Sequence, residues 1–135
     1  MEPIKINAEI SANVTTVWEK WTQPQHVMNW NFASPDWHCP AAENDLKVGG
    51  KFTFVMASRD GQMSFPFSGV YTEVEHLKCI AYVMEDGRRV TVDFEEHDGR
   101  TTVTEVFDPE NMNPLDMQQA GWQAILNNFK AYAEQ

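Results

Sequence analysis

The sequence predicts an α+β fold in which a curved antiparallel sheet wraps around a long C-terminal helix. Three observations favour it: an alternating first segment, a run of short β-type segments separated by turn dipeptides, and a final segment with a broad apolar stripe. Period-2 alternation is typical of a half-buried strand, whereas apolar spacings of three and four are typical of a helix. The length of 135 residues and the 42% hydrophobic content lead us to expect one domain over residues 1–135.

The first 30 residues are predicted to form one strand followed by two short helices. The alternating apolar residues of the strand are Ile4, Ile6, Ala8 and Ile10. The first helix carries apolar residues at helical spacing, namely Val14, Val17, Trp18 and Trp21. Ser11 or Asn13 is a candidate N-cap for it. Thr22 is the candidate cap of a second helix that starts at Pro24 and includes Val27 and Trp30.

The middle of the chain is predicted to be a meander of antiparallel strands. We expect strands at 51–58, 64–74, 78–84, 89–97 and 101–108. The dipeptides between several of them, Asp60-Gly61, Asp86-Gly87 and Asp98-Gly99, favour the positive φ angles of tight hairpins. The irregular segment 31–50 is expected to hold one short strand at 37–39 and could form a lid over a pocket.

The last segment is predicted to be a long amphipathic helix. Asn113 is the expected N-cap, Pro114 suits the first helical position, and Asp116 favours the positive end of the helix dipole. The apolar stripe comprises Trp122, Ile125, Leu126, Phe129, Tyr132 and Ala133. The predicted solvent-facing side comprises Gln118, Gln119, Gln123, Asn127, Asn128 and Lys130.

This order of elements and four local motifs resemble the START-like (SRPBCC) superfamily. The motifs are WEKWTQP at 18–24, GGKF at 49–52, FSGVY at 67–71 and GWQAILNNF at 121–129. Within the superfamily they are similar to the branch of homologues of the activator of the 90-kDa heat-shock-protein ATPase. The resemblance implies a helix-grip fold with a cavity between the sheet and the final helix, and hydrophobic or lipid ligands are common in the superfamily.

Strand parity and the helix stripe supply the candidate wall of such a cavity. Alternate side chains of a strand face one side of the sheet, so each strand contributes one apolar row. The candidate ligand-binding residues are Trp30, Trp37, Phe54, Met56, Phe67, Tyr71, Tyr82, Met84, Phe94, Glu105, Phe107, Trp122 and Leu126. Methionines in this set suggest an adaptable wall, because the unbranched thioether fits irregular shapes.

Glu105 is the most unusual candidate, because it shares a face with Val103 and Phe107. Parity therefore points a carboxylate into the cavity, where it would need a partner to offset the loss of water. We expect Glu105 to make at least one hydrogen bond to a side chain there. Such a group could orient a ligand or abstract a proton.

Three functions are open at this point. The leading hypothesis is non-catalytic binding of a small, mostly hydrophobic ligand. The first alternative is a protein-interaction module with a chaperone or another protein as partner, as the resembled branch implies. The second alternative is a small cyclase or hydrolase that uses Glu105, which would need a second titratable group nearby.

Charge and motif content weigh against other classes. A net charge of -10 and the lack of a basic stripe weigh against nucleic acid and anionic membranes as partners. The apolar runs are shorter than the ~20 residues that span a bilayer, so no membrane insertion is expected. Histidine and cysteine spacing supports no metal site, and no cofactor or catalytic residue is predicted. His38 and Cys39 would point to opposite faces of a strand. We expect Cys39 and Cys79 to be free thiols and the protein to be cytoplasmic.

Overall fold

One sheet of seven antiparallel strands forms the scaffold in the computed structural model, which describes residues 2–135. The strands are β1 (Ile4–Ile10), β2 (Trp37–Asn44), β3 (Lys51–Ser58), β4 (Ser64–Glu75), β5 (Cys79–Met84), β6 (Arg89–His97) and β7 (Arg100–Phe107). The helices are α1 (Val14–Thr22), α2 (Pro24–Val27) and α3 (Leu115–Ala133). The spatial order of strands is β1-β7-β6-β5-β4-β3-β2. The predicted α+β helix-grip fold is therefore confirmed.

The hairpin turns follow the Asp-Gly signals closely. Asp98 and Gly99 connect β6 to β7 with φ angles of 51° and 77°. Two successive positive φ angles match the right-handed twist of the flanking strands, and Asp and Gly tolerate them. The predicted bounds of strands β3 to β7 agree with the observed ones to within one residue.

The segment 31–50 differs from its prediction, because its strand is eight residues long and not three. β2 runs from Trp37 to Asn44 and pairs with β3 at the sheet edge, with a register shift between His38 and Ala41. The shift surrounds Pro40, which lacks a backbone donor and is tolerated in an edge strand or bulge. The Asn128 side chain of α3 donates to the carbonyl oxygen of Trp30 at 2.8 Å. The segment contributes Asn31 and Asn44 to the cavity wall, and its role as a lid stays a prediction.

The helix caps agree with the sequence in part. Asn13 caps α1, because its Oδ1 accepts a hydrogen bond from Thr16 N at 2.9 Å. Thr22 does not cap α2: it is the last residue of α1, and its hydroxyl donates to Trp18 O at 2.7 Å. Gln23 occupies the N-cap position instead.

The start of α3 also corrects the prediction. Pro114 takes the N-cap position in place of Asn113, and the helix begins at Leu115. Gln118 was predicted to face solvent but is buried. Its Oε1 accepts from Glu110 N at 2.9 Å, and its Nε2 donates to Asn113 O at 2.8 Å. The glutamine is buried because it satisfies the irregular backbone that leads into the helix.

The core lies between α3 and the concave face of the sheet. Leu126, Phe129 and Ala133 of α3 are buried, and Phe129 meets the rings of Trp21 and Trp30 at centroid distances of 4.8 Å. This aromatic cluster closes the core beside α1. Trp122, one to two turns earlier on α3, is only half-buried. The helix is thus packed tightly at its C-terminal half and less completely toward its N-terminus.

Gly69 allows one close packing contact on the concave face. A Cβ atom at this position would lie 2.8 Å from Cε1 of Phe52 and 2.9 Å from the carbonyl oxygen of Val83. Both separations are too short for carbon and for backbone oxygen. Glycine at this position of β4 therefore lets the Phe52 ring lie flat against the sheet.

No helix within residues 2–135 combines the length and the apolar character that crossing a membrane requires. Cys39 and Cys79 are free thiols. They lie on β2 and β5, three strand spacings apart, or about 14 Å at the usual ~4.8 Å spacing. A disulfide needs Cα atoms within about 7 Å.

We predict that Phe129→Ala destabilises the fold by about 3 to 5 kcal/mol, the usual cost of removing a fully buried large aromatic side chain. Trp122→Ala should cost less, about 1 to 3 kcal/mol, because half-burial removes less area from water. Urea denaturation of both variants tests this. Equal losses would mean that Trp122 is as much a part of the core as Phe129.

We predict that both cysteines react slowly with iodoacetamide in the native protein and rapidly after unfolding. Burial raises the pKa of Cys39, and burial with the nearby Asp93 raises the pKa of Cys79 to about 12. The thiolate is the nucleophile, so a raised pKa slows alkylation. Mass analysis before and after denaturation should show two added groups only in the unfolded chain. Fast native labelling of either thiol would contradict this.

Candidate functional site

A cavity of about 290 Å³ lies between the concave face of the sheet and the N-terminal half of α3. Its wall is mostly aromatic and aliphatic, with a few polar groups. The lining residues are Trp21, Thr22, Trp30, Asn31, Asn44, Phe52, Phe54, Met56, Phe65, Phe67, Tyr71, Ile80, Tyr82, Met84, Arg88, Glu105, Trp122 and Ile125. The cavity exists where α3 stops packing closely on the sheet.

Most residues predicted for a cavity wall lie in this wall. These are Trp30, Phe54, Met56, Phe67, Tyr71, Tyr82, Met84, Glu105 and Trp122. Six of them belong to β3, β4 and β5, and the alternation of these strands places the six side chains on the concave face. Phe52 and Ile80 share this parity and also line the cavity.

Four predicted residues lie elsewhere. Phe107 is covered by Trp122, whose ring stacks on it at 4.0 Å with an interplanar angle of 9°. Phe94 is covered by Trp18 and Trp21 at centroid distances of 5.2 and 5.9 Å. Leu126 is fully buried in the core. These three residues have the predicted orientation, but other side chains separate them from the cavity.

Trp37 is the fourth, and it lies outside the cavity altogether. It begins the edge strand β2, and its ring contacts Phe65 of β4 at a centroid distance of 5.8 Å. With Asp36, Arg59 and Asp60 it lines a separate surface groove. The segment before β2 has no regular alternation, so the sequence did not indicate which side of the sheet the Trp37 side chain faces.

Sequence reasoning missed the part of the wall that comes from helices, turns and the sheet edge. The missed residues are Trp21, Thr22, Asn31, Asn44, Phe65, Arg88 and Ile125. Trp21 and Ile125 belonged to predicted apolar stripes and could have been found from them. Asn31, Asn44 and Arg88 stand in or beside loops, and no local pattern marked them.

Glu105 extends from the middle of β7 into the cavity. Its backbone pairs with Ile6 of β1 on one side and Val92 of β6 on the other. Only 6% of the residue is exposed, and its carboxyl group makes no hydrogen bond within residues 2–135. The inward direction agrees with the prediction, but the expected hydrogen bond to a side chain is not formed. Burial alone raises the pKa of Glu105 to about 8, so the neutral form predominates at pH 7.

A hydrogen-bonded chain of side chains lines the opposite part of the wall. The Tyr71 hydroxyl donates to Asn44 Oδ1 at 2.6 Å, and Asn44 Nδ2 donates to the carbonyl oxygen of Thr22 at 2.6 Å. This chain ties β4 and β2 to the end of α1. Burial raises the pKa of Tyr71 and, together with the charge of Glu105, that of Tyr82, so both phenols stay neutral.

Arg88 is the other charged residue of the wall. It lies in the turn between β5 and β6, and its side chain is 22% exposed. Its Nε donates to Asp86 Oδ2 at 2.8 Å, so the guanidinium is already paired with one carboxylate. Asn31 adds a buried amide whose Nδ2 has no hydrogen-bond partner within residues 2–135.

The wall offers few groups for acid–base catalysis. Glu105 is its one carboxyl, and no histidine, lysine or cysteine lines the cavity in the described part of the chain. Residues 2–135 hold no group of three His, Cys, Asp or Glu side chains placed to bind a metal ion. The cavity can enclose an apolar molecule and present one carboxyl, two phenols and a guanidinium to it.

We predict that Glu105→Gln removes a pH-dependent loss of stability. The pKa of Glu105 is raised in the folded state, from an ordinary value of 4.5 to about 8. The contribution of Glu105 to stability is therefore most favourable below about pH 4.5 and is lost as the pH rises through 8, by up to about 5 kcal/mol. Urea denaturation of both proteins from pH 4 to 9 should show the variant becoming relatively more stable with rising pH. A constant difference would contradict the burial of an unpaired carboxyl.

Comparison with known proteins places this geometry in a family. The chain resembles an Activator of Hsp90 ATPase homolog 1-like protein from Aeromonas hydrophila, with 44% identity and a TM-score of 0.90 over 97% of this chain and 92% of that one. A protein from Cytophaga hutchinsonii is 49% identical, with a TM-score of 0.84 over 98% and 92%. A protein from Chromobacterium violaceum shares the fold, with 20% identity and a TM-score of 0.88 over 100% and 99%.

No curated protein matches the chain. The family profile described as Activator of Hsp90 ATPase homolog 1-like protein matches residues 11–134. The match includes both short helices, the meander and the long helix. The chain therefore belongs to the Activator of Hsp90 ATPase homolog 1-like family.

Proposed function

We propose that this protein binds a small, mostly apolar ligand in the cavity beneath α3 and does not transform it chemically. The observation that carries the proposal is the aromatic cavity with one buried carboxyl that has no partner. Binding pockets are typically apolar with a few placed polar groups. The absence of a second base beside Glu105 in the described wall favours binding over hydrolysis or cyclisation.

The size of the cavity limits the ligand. A volume of about 290 Å³ lies at the small end of the ~300 to 1,000 Å³ usual for ligand pockets. A one- or two-ring molecule or a short acyl chain fits this space, whereas a diacyl lipid does not. The aromatic walls favour a ligand with flat or branched apolar groups.

The polar groups are placed to orient a ligand. Glu105 lies on β7, while Tyr71 and Asn44 lie across the cavity on β4 and β2. The Tyr71 and Asn44 side chains bond each other, which fixes their positions before a ligand arrives. Preorganised groups of this kind reduce the entropy cost of binding.

Native mass spectrometry of freshly purified protein tests the proposal. A reproducible added mass that is lost on denaturation is the expected result. Extraction and identification of the bound compound would give its chemical class. Consistently unliganded protein, together with no binding from a library of small apolar compounds, would overturn the proposal.

We predict that Met84→Trp reduces binding of any retained ligand at least tenfold, since the larger ring would occupy the cavity. Val83→Trp is the matched control, because the neighbouring residue on β5 faces the other side of the sheet. Both variants should be compared with wild type by native mass spectrometry and by a thermal-shift assay whose signal does not come from tryptophan fluorescence. Equal effects of the two substitutions would show that binding occurs outside the cavity.

A protein-interaction role is the second candidate. The observation that favours it is a group of exposed apolar residues at the start of α3, namely Met112, Leu115 and Met117. Exposed apolar patches of this kind are common at interaction sites. The family description names an ATPase activator. Stimulation of a chaperone ATPase that is lost in Leu115→Asp would support this role.

We also propose a cytoplasmic location, which the two free thiols support.

A further inference from the structure

We propose that the ligand carries a positively charged nitrogen, a quaternary or protonated amine, held between the Glu105 carboxylate and the aromatic rings of the cavity. The inference rests on the proposed binding function and specifies its chemistry. It goes beyond an apolar ligand because it assigns a charge and a position to the polar end of the molecule.

The first argument is the unpartnered carboxyl. Only 6% of Glu105 is exposed, and its carboxyl lines the cavity without any hydrogen bond within residues 2–135. Buried carboxylates in proteins are normally paired or hydrogen-bonded. The described chain supplies no cation to Glu105. A cationic ligand would supply one from the only side that is open, the cavity.

The second argument is the aromatic rings that line the same cavity as Glu105. Phe67 makes edge-to-face contacts with Trp122 at 6.0 Å and 74° and with Tyr82 at 6.2 Å and 89°. These three rings form a connected aromatic part of the cavity wall. Ring faces attract cations, and recognition of quaternary ammonium groups by several aromatic rings is a common use of this attraction.

The sheet register relates these rings to the position of the carboxyl. Trp122 stacks on Phe107, which lies two residues beyond Glu105 on the same face of β7. Tyr82 lies two residues beyond Ile80 on β5, and Ile80 is separated from Glu105 by Val92 alone in the row of paired residues. The rings and the carboxyl thus line one cavity, and the proposal places the cation in contact with both.

The third argument is the charge balance. Arg88 is the one cationic residue of the described wall, and Asp86 already pairs with its Nε. An anionic ligand drawn to Arg88 would compete with the Asp86 carboxylate in a protein of net charge -10. The overall field concentrates cations and repels anions at the mouth. An ammonium ligand is therefore favoured over a carboxylate ligand.

The proposal predicts a pH dependence. The titratable or charged groups that face Glu105 from the surrounding elements are Tyr82 of β5, Tyr71 of β4 and Arg88 of the β5–β6 turn. β1, β6 and α3 present the apolar residues Ile6, Val92, Trp122 and Ile125. Burial raises the pKa of both tyrosines and so keeps them neutral between pH 6 and 9, which leaves the ionisation of Glu105 as the expected source of the pH dependence. Binding a permanent cation ionises Glu105 and releases its proton, so affinity should rise with pH and level off above about 8.

The test uses benzyltrimethylammonium and its uncharged carbon isostere, neopentylbenzene. Binding is followed by the indole ¹H–¹⁵N NMR signals of the wild type, of Glu105→Gln and of Glu95→Gln, an exposed-carboxylate control on β6. We expect the cation to bind the wild type at least tenfold more tightly than the isostere at pH 9, as cation–π and charge pairing in a desolvated site suggest. The preference should fall at least tenfold at pH 6. Glu105→Gln should lose the preference but bind the isostere normally, and Glu95→Gln should behave as wild type.

Each other outcome has a definite meaning. If the isostere binds and the cation binds no better, the charge assignment is overturned while the proposed cavity function stands. If 3-phenylpropionate binds best and Arg88→Gln abolishes this, the ligand is an anion and the inference is wrong. If no probe shifts the signals of Trp21, Trp30 or Trp122 at either pH, both the inference and the proposed function fail. Since Glu105→Gln keeps the shape of the side chain, its urea denaturation and its binding of the isostere verify that it is folded.

Discussion

The packing of α3 across the concave sheet face is the constraint on which the rest of the molecule depends. At the C-terminal half of the helix, Phe129 fills the space beside Trp21 and Trp30 and leaves no room. At the other half, Trp122 stacks flat on Phe107 and acts as a spacer between helix and sheet. The helix is thus held at two aromatic contacts, and the volume between them stays open because rigid rings cannot collapse into it. A cavity that would ordinarily lower stability is maintained by the shape of its own wall.

The sheet also fixes the electrostatic environment of Glu105. Strand β7 is paired on both sides, with β1 and β6, so its backbone cannot shift to turn the carboxyl outward without breaking two ladders. The residue therefore remains in an apolar space and is kept neutral by burial. An aliphatic residue at this position would be more stable at neutral pH. A carboxyl here imposes a stability cost that a bound hydrogen-bond donor or cation would offset, and this cost supports the proposed role of Glu105 in ligand recognition.

Much of the fold could be predicted because its signals are local. Alternation gave the strands and the inward direction of Glu105, and Asp-Gly dipeptides gave several of the turns. Parity identifies a face, however, and not how deep a side chain lies. Phe94, Phe107 and Leu126 face the core as predicted but are covered by residues from other elements. The contributions of Asn44 and Arg88 depend on how distant elements meet, and Gln118 is buried because of a loop that it stabilises. Such placements are set by tertiary contacts, which no local pattern contains.

In the proposed binding mode, the polar groups on the two sides of the cavity contribute differently to ligand recognition. On the β2 and β4 side, Asn44 and Tyr71 satisfy one another, so a ligand gains little by replacing a bond that already exists. On the β7 side, the Glu105 carboxyl has no protein hydrogen-bond partner within residues 2–135, so a ligand group can pair with it without breaking a protein hydrogen bond. Polar recognition is therefore centred on Glu105 in this mode, while the rings supply most of the buried area. A ligand without a group directed at Glu105 would leave the carboxyl buried still further from water, and the same residue that selects one chemistry would reject its uncharged, non-bonding analogues.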